Sequence, residues 1–209
     1  MKIENIVLIG AGGLAREIVS IIENNRANGF SNQKVIGYLD DSIDVGTVVK
    51  GYKVLGKTID FKKFDCSFIY AVGSPKSKIA LSEKLNIPLS NFTNVISHKS
   101  IFFQTKSLGL GNVFFPNCIV SDNVEIGNFV TILPSNLGHD CKVHDFCTVS
   151  GFCSINGFVT LKKGVFIGSN SSINPNLTMD ELSVLGSSSN LIANSKKGKT
   201  YYGVPATPL

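Results

Sequence analysis

Every sixth residue from Leu108 is large and apolar: Phe114, Val120, Ile126 and Ile132 follow it. One residue is then lost, and the series resumes at Leu137 and continues through Val143, Val149, Ile155, Leu161, Ile167, Ile173, Met179, Leu185 and Leu191. Four residues after each of these comes a position that is mostly small: Cys118, Val124, Val130, Cys141, Cys147, Cys153, Val159, Val165, Ser171, Ser183 and Ser189, with Asn112, Asn136 and Leu177 as exceptions. A period of six belongs neither to a helix face nor to a simple alternating strand. One large and one small inward side chain per six residues suits a triangular parallel β-helix, in which three short strands complete a coil. Fifteen such units predict about five coils.

Upstream the grammar changes, near Ser97 to Gln104. Ile6-Val7-Leu8-Ile9 reads as a strand ending at Gly10-Ala11-Gly12-Gly13, and Ile18, Val19, Ile21 and Ile22 mark one face of a following helix. Val35 to Leu39 reads as a second strand ending in Asp40-Asp41, Phe68 to Val72 as a third ending in Gly73-Ser74-Pro75, and Ile79 to Leu85 as a second helix. Strands alternating with helices imply a small parallel sheet. The expected organisation is a small Rossmann-like α/β domain over residues 1–97 and a parallel β-helix with a C-terminal extension over residues 98–209.

With 209 residues and 43% apolar content the chain has ample material for a core, which excludes a disordered protein. Its longest apolar runs fall well short of the roughly 20 residues needed to cross a bilayer, so no membrane insertion is expected. Glu4 and Asn5 precede only four apolar residues, too short and too acidic a start for a secretory signal, and a cytoplasmic location is expected. The net charge of +5 owes much to Lys196, Lys197 and Lys199, and no basic stripe interleaved with aromatics suggests a nucleic-acid partner. Four of the five cysteines, Cys118, Cys141, Cys147 and Cys153, fall on the small inward positions, where a free thiol acts as a compact hydrophobe. None forms a C-x-x-C pair, and no histidine pair has a metal-ligand spacing with a cysteine, so neither disulfides nor a metal are expected.

Four motifs give the chain a likeness: Gly10-Ala11-Gly12-Gly13 after the first strand, Tyr38-Leu39-Asp40-Asp41 after the second, Gly138-His139-Asp140-Cys141 within the repeats, and Gly203-Val204-Pro205-Ala206 at the end. Over nearly its whole length the chain resembles the sugar O- and N-acyltransferases of the NeuD and PglD type. That resemblance implies a left-handed β-helix, a homotrimer, acetyl-CoA lying between neighbouring solenoids, and a nucleotide-linked amino sugar or sialic acid held partly by the N-terminal domain. The chain departs from its relatives in carrying Leu14-Ala15-Arg16 where His often follows the glycine turn, and Thr207 where Lys is common.

Acetyl transfer from a thioester to an amine needs a base for the amine proton and a donor for the oxyanion. Of the three histidines, His139 follows Gly138 at a turn facing out of the solenoid, with Asp140 adjacent to orient or support the ring. His144 and His98 read as surface and structural. Three hexads return the chain to the same side of the column, one strand spacing of about 4.8 Å higher. Eighteen residues after His139 comes Gly157, which has no side chain to obstruct a thioester and whose N–H is free to meet the oxyanion. The catalytic candidates are therefore His139, Asp140 and Gly157.

The strand, Gly10-x-Gly12-x-x-Ala15 and helix sequence is a dinucleotide-type fingerprint. Asp40 follows Gly10 by thirty residues, too far for the usual ribose-binding acid, and there is no second nucleotide-binding half. The pattern suits one nucleotide: Gly10, Gly12, Gly13 and Gly73 at the strand ends, with Asp40 or Asp41 accepting from base or sugar hydroxyls. Gly157, Lys196 and Lys197 are candidates for contact with CoA, and the resemblance implies that Pro205 of the terminal motif lies near the CoA cleft as well. The leading expectation is N-acetylation of a nucleotide-linked 4-amino-4,6-dideoxy sugar. The alternatives are O-acetylation of sialic acid and a non-catalytic trimeric scaffold.

Overall fold

The computed structural model describes residues 3–209; Met1 and Lys2 lie outside them. β1 (Glu4–Ile9), β2 (Gln33–Leu39), β3 (Val48–Val49), β4 (Tyr52–Gly56) and β5 (Ser67–Tyr70) form one sheet in the order β3-β4-β2-β1-β5. β1 runs parallel to β2 and β5, and β2 parallel to β4. Two helices join this sheet, α1 (Gly13–Ala27) and α2 (Pro75–Leu85). α2 begins earlier than the apolar pattern alone predicts, because Ser74 accepts from the Ser77 N–H as an N-cap and Pro75 occupies the first turn. The β3–β4 hairpin was not anticipated. Its turn signal is Lys50-Gly51, both at positive φ, the conformation that joins tightly paired antiparallel strands.

From Val95 onward the chain winds as a left-handed β-helix with three faces. The first face stacks Val95–Ile96, Val113–Phe114, Thr131–Ile132, Thr148–Val149, Phe166–Ile167 and Val184–Leu185. The second runs from Ile101–Phe102 through Ile119–Val120, Asn136–Leu137, Ser154–Ile155 and Ser172–Ile173 to Asn190–Leu191, and the third from Ser107–Leu108 to Thr178–Met179. Each strand is two residues long and pairs in parallel with the strand one coil away. The large inward positions from Phe114 to Leu191 are buried, while Leu108 at the open lower end is 36% exposed. A terminal antiparallel hairpin, Thr200–Gly203 with Ala206–Pro208, extends the first face.

The missing residue has a local explanation. Most corners contain one residue in the left-handed region, among them Asn117, Asn123, Asp140, Phe152, Phe158, Asn170 and Asn176. The corner Leu133-Pro134-Ser135 has none. Deleting that residue moves the small inward position from Asn136, which is exposed, to Ser135, which is buried and accepts from the Cys153 N–H. The exception at Asn136 is thus a shift by one place, absorbed before the next strand.

The N-terminal domain covers the first face. The Thr148 hydroxyl donates to the Gly73 carbonyl at 2.8 Å, and Asn25 bridges the Ile96 carbonyl and the His98 N–H. Tyr70, Phe92, Phe129 and Phe146 form one aromatic cluster across the boundary. At its edge Lys78 of α2 is 1% exposed, with Nζ donating to the Phe129 carbonyl, the Thr131 hydroxyl and the Cys147 carbonyl. Burial pushes this ammonium down to about 7. Unfolded lysine titrates near 10.4, so above pH 7 the unfolded chain binds more protons than the folded one and stability rises with pH. Above about pH 9 ionisation of unfolded cysteines opposes it, since burial raises Cys118 and Cys141 to about 11 and Cys147 to about 12. Urea midpoints should therefore climb between pH 7 and 8.5, by up to about 1.4 kcal/mol per pH unit, and Lys78→Met should flatten that climb.

Candidate functional site

His139 stands at the corner between the second and third faces. The ladder fixes its neighbours on both sides: the Gly138 N–H donates to the Ile155 carbonyl, and the Phe158 N–H to the carbonyl of His139 itself. The imidazole is 59% exposed and its Nδ1 lies 2.8 Å from Asp140 Oδ2. An ionised carboxylate can only accept, so Nδ1 carries the proton and the neutral ring presents a bare Nε2. Nε2 has no hydrogen-bond partner among the described residues. Asp140 is kept ionised by hydrogen bonds from Asn123 and His139, which hold its carboxyl below the usual carboxylate range.

Gly157 lies directly above this ring. A Cβ there would stand 2.8 Å from both Cε1 and Nε2 of His139, a separation at which the imidazole must move. Phe158 meets the ring edge-on, with centroids 5.1 Å apart. The Gly157 carbonyl accepts from Asn176, but its N–H enters no ladder bond. His139, Asp140 and Gly157 are therefore together at one corner, with a bare ring nitrogen beside an open backbone donor. Asn123 and Phe158 complete the corner and were not singled out from the sequence; counting seventeen residues down from Asp140, one coil with the short corner, reaches Asn123.

The other candidates are dispersed. Lys197 pairs with Glu181 at 2.6 Å on the corner between the third and first faces, and the Lys196 N–H donates to the Tyr201 hydroxyl beside it. Pro205 is in the tip of the terminal hairpin, whose Gly203 N–H reaches Ser189 Oγ near the corner between the first and second faces. Within one chain these residues do not share the His139 corner.

In the N-terminal domain, Gly10, Gly12, Gly13, Asp40 and Gly73 gather where the strands end. Gly10 has φ +107, and a Cβ there would meet the Ala71 carbonyl at 3.0 Å, so the close approach of β1 and β5 requires glycine. At Gly12 a Cβ would meet nothing within 4 Å. α1 starts without a side-chain cap and without an acidic residue in its first turn, leaving N–H groups and the positive end of the helix dipole open. Both aspartates already hold the fold. Asp40 accepts from the Ala11, Ser42 and Ile43 N–H groups, and Asp41 from the Thr58 N–H and hydroxyl and from Lys84. Lys84 and Thr58 lower the Asp41 carboxyl to about 2. A ligand would meet these carboxylates only through their remaining lone pairs.

Residues 5–85 match the family model described as the PglD N-terminal domain. A curated relative, the GDP-perosamine N-acetyltransferase of Escherichia coli O157:H7, is 25% identical over 172 residues, 79% of this chain and 76% of that one. The N-terminal domain of the chain is thus similar to that of PglD. Solved structures agree on the fold along the whole length of the chain. A mutant of perosamine N-acetyltransferase from Caulobacter crescentus, in complex with CoA and GDP-perosamine, superposes with a TM-score of 0.86 at 20% identity, covering 100% of this chain and 98% of that one. The acetyltransferase domain of PglB from Neisseria gonorrhoeae, in complex with acetyl coenzyme A, also gives 0.86 at 20% identity, with 100% of both chains covered.

Gly157→Ala tests the tight stacking of the solenoid at His139. A crystal structure of the variant should show the His139 ring displaced and its contact with Asp140 broken, while thermal stability stays within about 1 kcal/mol of the parent, as for a surface substitution away from the core.

Proposed function

We infer that this chain transfers the acetyl group of acetyl-CoA to the 4-amino group of a nucleotide-linked 4-amino-4,6-dideoxy sugar. The observation that carries the reading is the exposed His139–Asp140 pair with its bare Nε2 beside the open N–H of Gly157. The neutral amine attacks the thioester carbonyl, and His139 Nε2 takes the amine proton. The Gly157 N–H donates to the oxyanion as the tetrahedral centre forms. On collapse the C–S bond breaks and the proton passes from the imidazolium to the departing CoA thiolate. Asp140 holds Nδ1–H throughout, so the same nitrogen is always the base.

The open first turn of α1 and the unfilled space at Gly12 favour a nucleotide diphosphate in the N-terminal domain. The curated relative is named for a GDP-linked 4-amino sugar, which makes GDP the first nucleotide to test and favours N- over O-acetylation. Among the described residues no helix is long and apolar enough to cross a membrane, which is compatible with the cytoplasmic location expected from the sequence. The product suits synthesis of a surface polysaccharide or glycan.

A homotrimer has support in the solenoid. The first face is covered by the N-terminal domain and the third carries Glu125 and Lys142. The outward positions of the second face, Ile101, Ile119, Asn136, Ser154, Ser172 and Asn190, hold no charge. Such a face is the natural one to bury against other copies. Lys196, Lys197 and Pro205 then serve CoA across a subunit boundary, since on their own chain they stand on other corners. Ser154→Arg should convert a trimer into monomers by light scattering and abolish turnover with it.

The decisive assay follows CoA release with acetyl-CoA and GDP-, dTDP- and UDP-linked 4-amino sugars and with sialic acid. His139→Ala should lower turnover by roughly 10²–10⁴-fold while ligand binding and assembly persist. Turnover of sialic acid alone would establish O-acetylation instead, an undiminished His139→Ala would remove His139 as the base, and a parent that releases CoA with no member of the panel would leave the scaffold.

A further inference from the structure

The corner that holds His139 is one of three vertical columns, and its left-handed positions are occupied successively by Asn123, Asp140, Phe158 and Asn176. The φ angles there run from 59° to 63°. Consecutive members are tied through the backbone, since the Asp140 N–H donates to the Asp122 carbonyl and the Asn123 N–H to the Gln104 carbonyl. Side chains at equivalent places on successive coils leave the column one above another, about 4.8 Å apart. Asn123 therefore lies directly under Asp140, and its Nδ2 donates to Asp140 Oδ1. The other oxygen, Oδ2, is the one that receives His139 Nδ1–H.

Resting on the reading of His139 as the base, we propose that Asn123 is a positioning residue that acts through Asp140: it clamps one carboxylate oxygen so that the other fixes the His139 tautomer and leaves Nε2 bare. Asp140 is only partly buried, its side chain 29% exposed, and a free carboxylate there would rotate between solvent and several donors. Lys106 is the cation that favours its charge from a distance, but Lys106 Nζ is bonded to Glu125 at 2.9 Å. Its contacts with Asn123 and His139 are the side-chain bonds that fix the orientation of Asp140. Asparagine suits the place on two grounds. It tolerates the left-handed backbone better than other residues with a side chain, and it supplies a neutral donor where a second carboxylate would repel Asp140.

Asn123→Gly removes the donor and keeps the left-handed backbone, so folding is not at risk. We expect kcat to fall roughly 10- to 100-fold, as for loss of a hydrogen bond to a charged group, with KM for acetyl-CoA unchanged. The tautomer is read directly from the ¹⁵N shifts of the His139 ring in protein labelled at histidine, with His98 and His144 as internal references. The parent should show Nδ1–H, and Asn123→Gly should move the population toward Nε2–H. In an Asp140→Ala background the same Asn123→Gly change should have no further effect on kcat, because its route to the imidazole is gone. An unchanged His139 tautomer, or an equal loss in both backgrounds, overturns the clamp. The base itself is judged separately: an active His139→Ala enzyme removes the underlying reading, whereas a dead His139→Ala with a neutral Asn123→Gly removes only the clamp.

Discussion

The left-handed residue at the corners of the solenoid is the constraint from which the rest follows. Two-residue strands leave no slack, so the chain must turn sharply three times per coil, and a residue at positive φ does this with one peptide unit. Asparagine and glycine accept that conformation readily, whereas most side chains cost about 1–2 kcal/mol there. Phe129, Phe146, Phe152 and Phe158 all adopt it. The first two recover the cost by burial in the aromatic cluster under the N-terminal domain. Phe158 is 53% exposed and packs against His139, so its strain falls at the candidate site, and strained backbone tends to collect at such sites.

Docking of the two domains follows from the same corners. The column between the third and first faces presents Phe129 and Phe146, and Lys78 reaches over them to two main-chain carbonyls and Thr131. A cation inserted into a carbonyl-lined recess, with no carboxylate bonded to it, has its desolvation only partly offset, hence its depressed pKa. The contact fixes α2, and through Ser74 and the Gly73 carbonyl bonded to Thr148 it fixes the end of β5 beside the glycine turn. The nucleotide-type loop is thereby held in register with the solenoid by polar bonds between rigid elements, instead of by a flexible linker.

Much of this was legible in the residues because the repeat is strict. The period of six determined inward positions, the cysteine burial and the stacking of Gly157 on His139, since each depends only on counting along an unbroken register. The shift from Asn136 to Ser135 was not readable, because a deletion leaves no mark of which turn residue was removed; the absence of a left-handed residue at Leu133 to Ser135 supplies that answer. The β3–β4 hairpin was obscured by its length, two residues on one side. Asp40 and Asp41 read as ligand groups because strand-end carboxylates are common in nucleotide sites, and sequence carries no record of the backbone N–H groups, the Thr58 hydroxyl and Lys84 that also bond to them. Lys78 was invisible for a related reason: it sits on a helix whose polar residues resemble an ordinary solvated face, and only the docked solenoid buries it.

The column that holds His139 also limits where charge can develop. Its equivalent places, coil by coil, are Gln104, Asp122, His139, Gly157 and Pro175. The Gln104 N–H is taken by Asp122 Oδ1, and Pro175 has no N–H to give. Below the imidazole stands a carboxylate, which disfavours any second negative charge on that side. Above it stands a residue with neither side chain nor ladder bond on its N–H. In the proposed reaction an oxyanion beside His139 would be stabilised only on the upper side, toward Gly157, and a substituent that filled the gap would take the place proposed for the thioester carbonyl and displace the imidazole together. The requirement for glycine at that one place is the point at which the packing of the coil and the chemistry assigned to it become the same constraint.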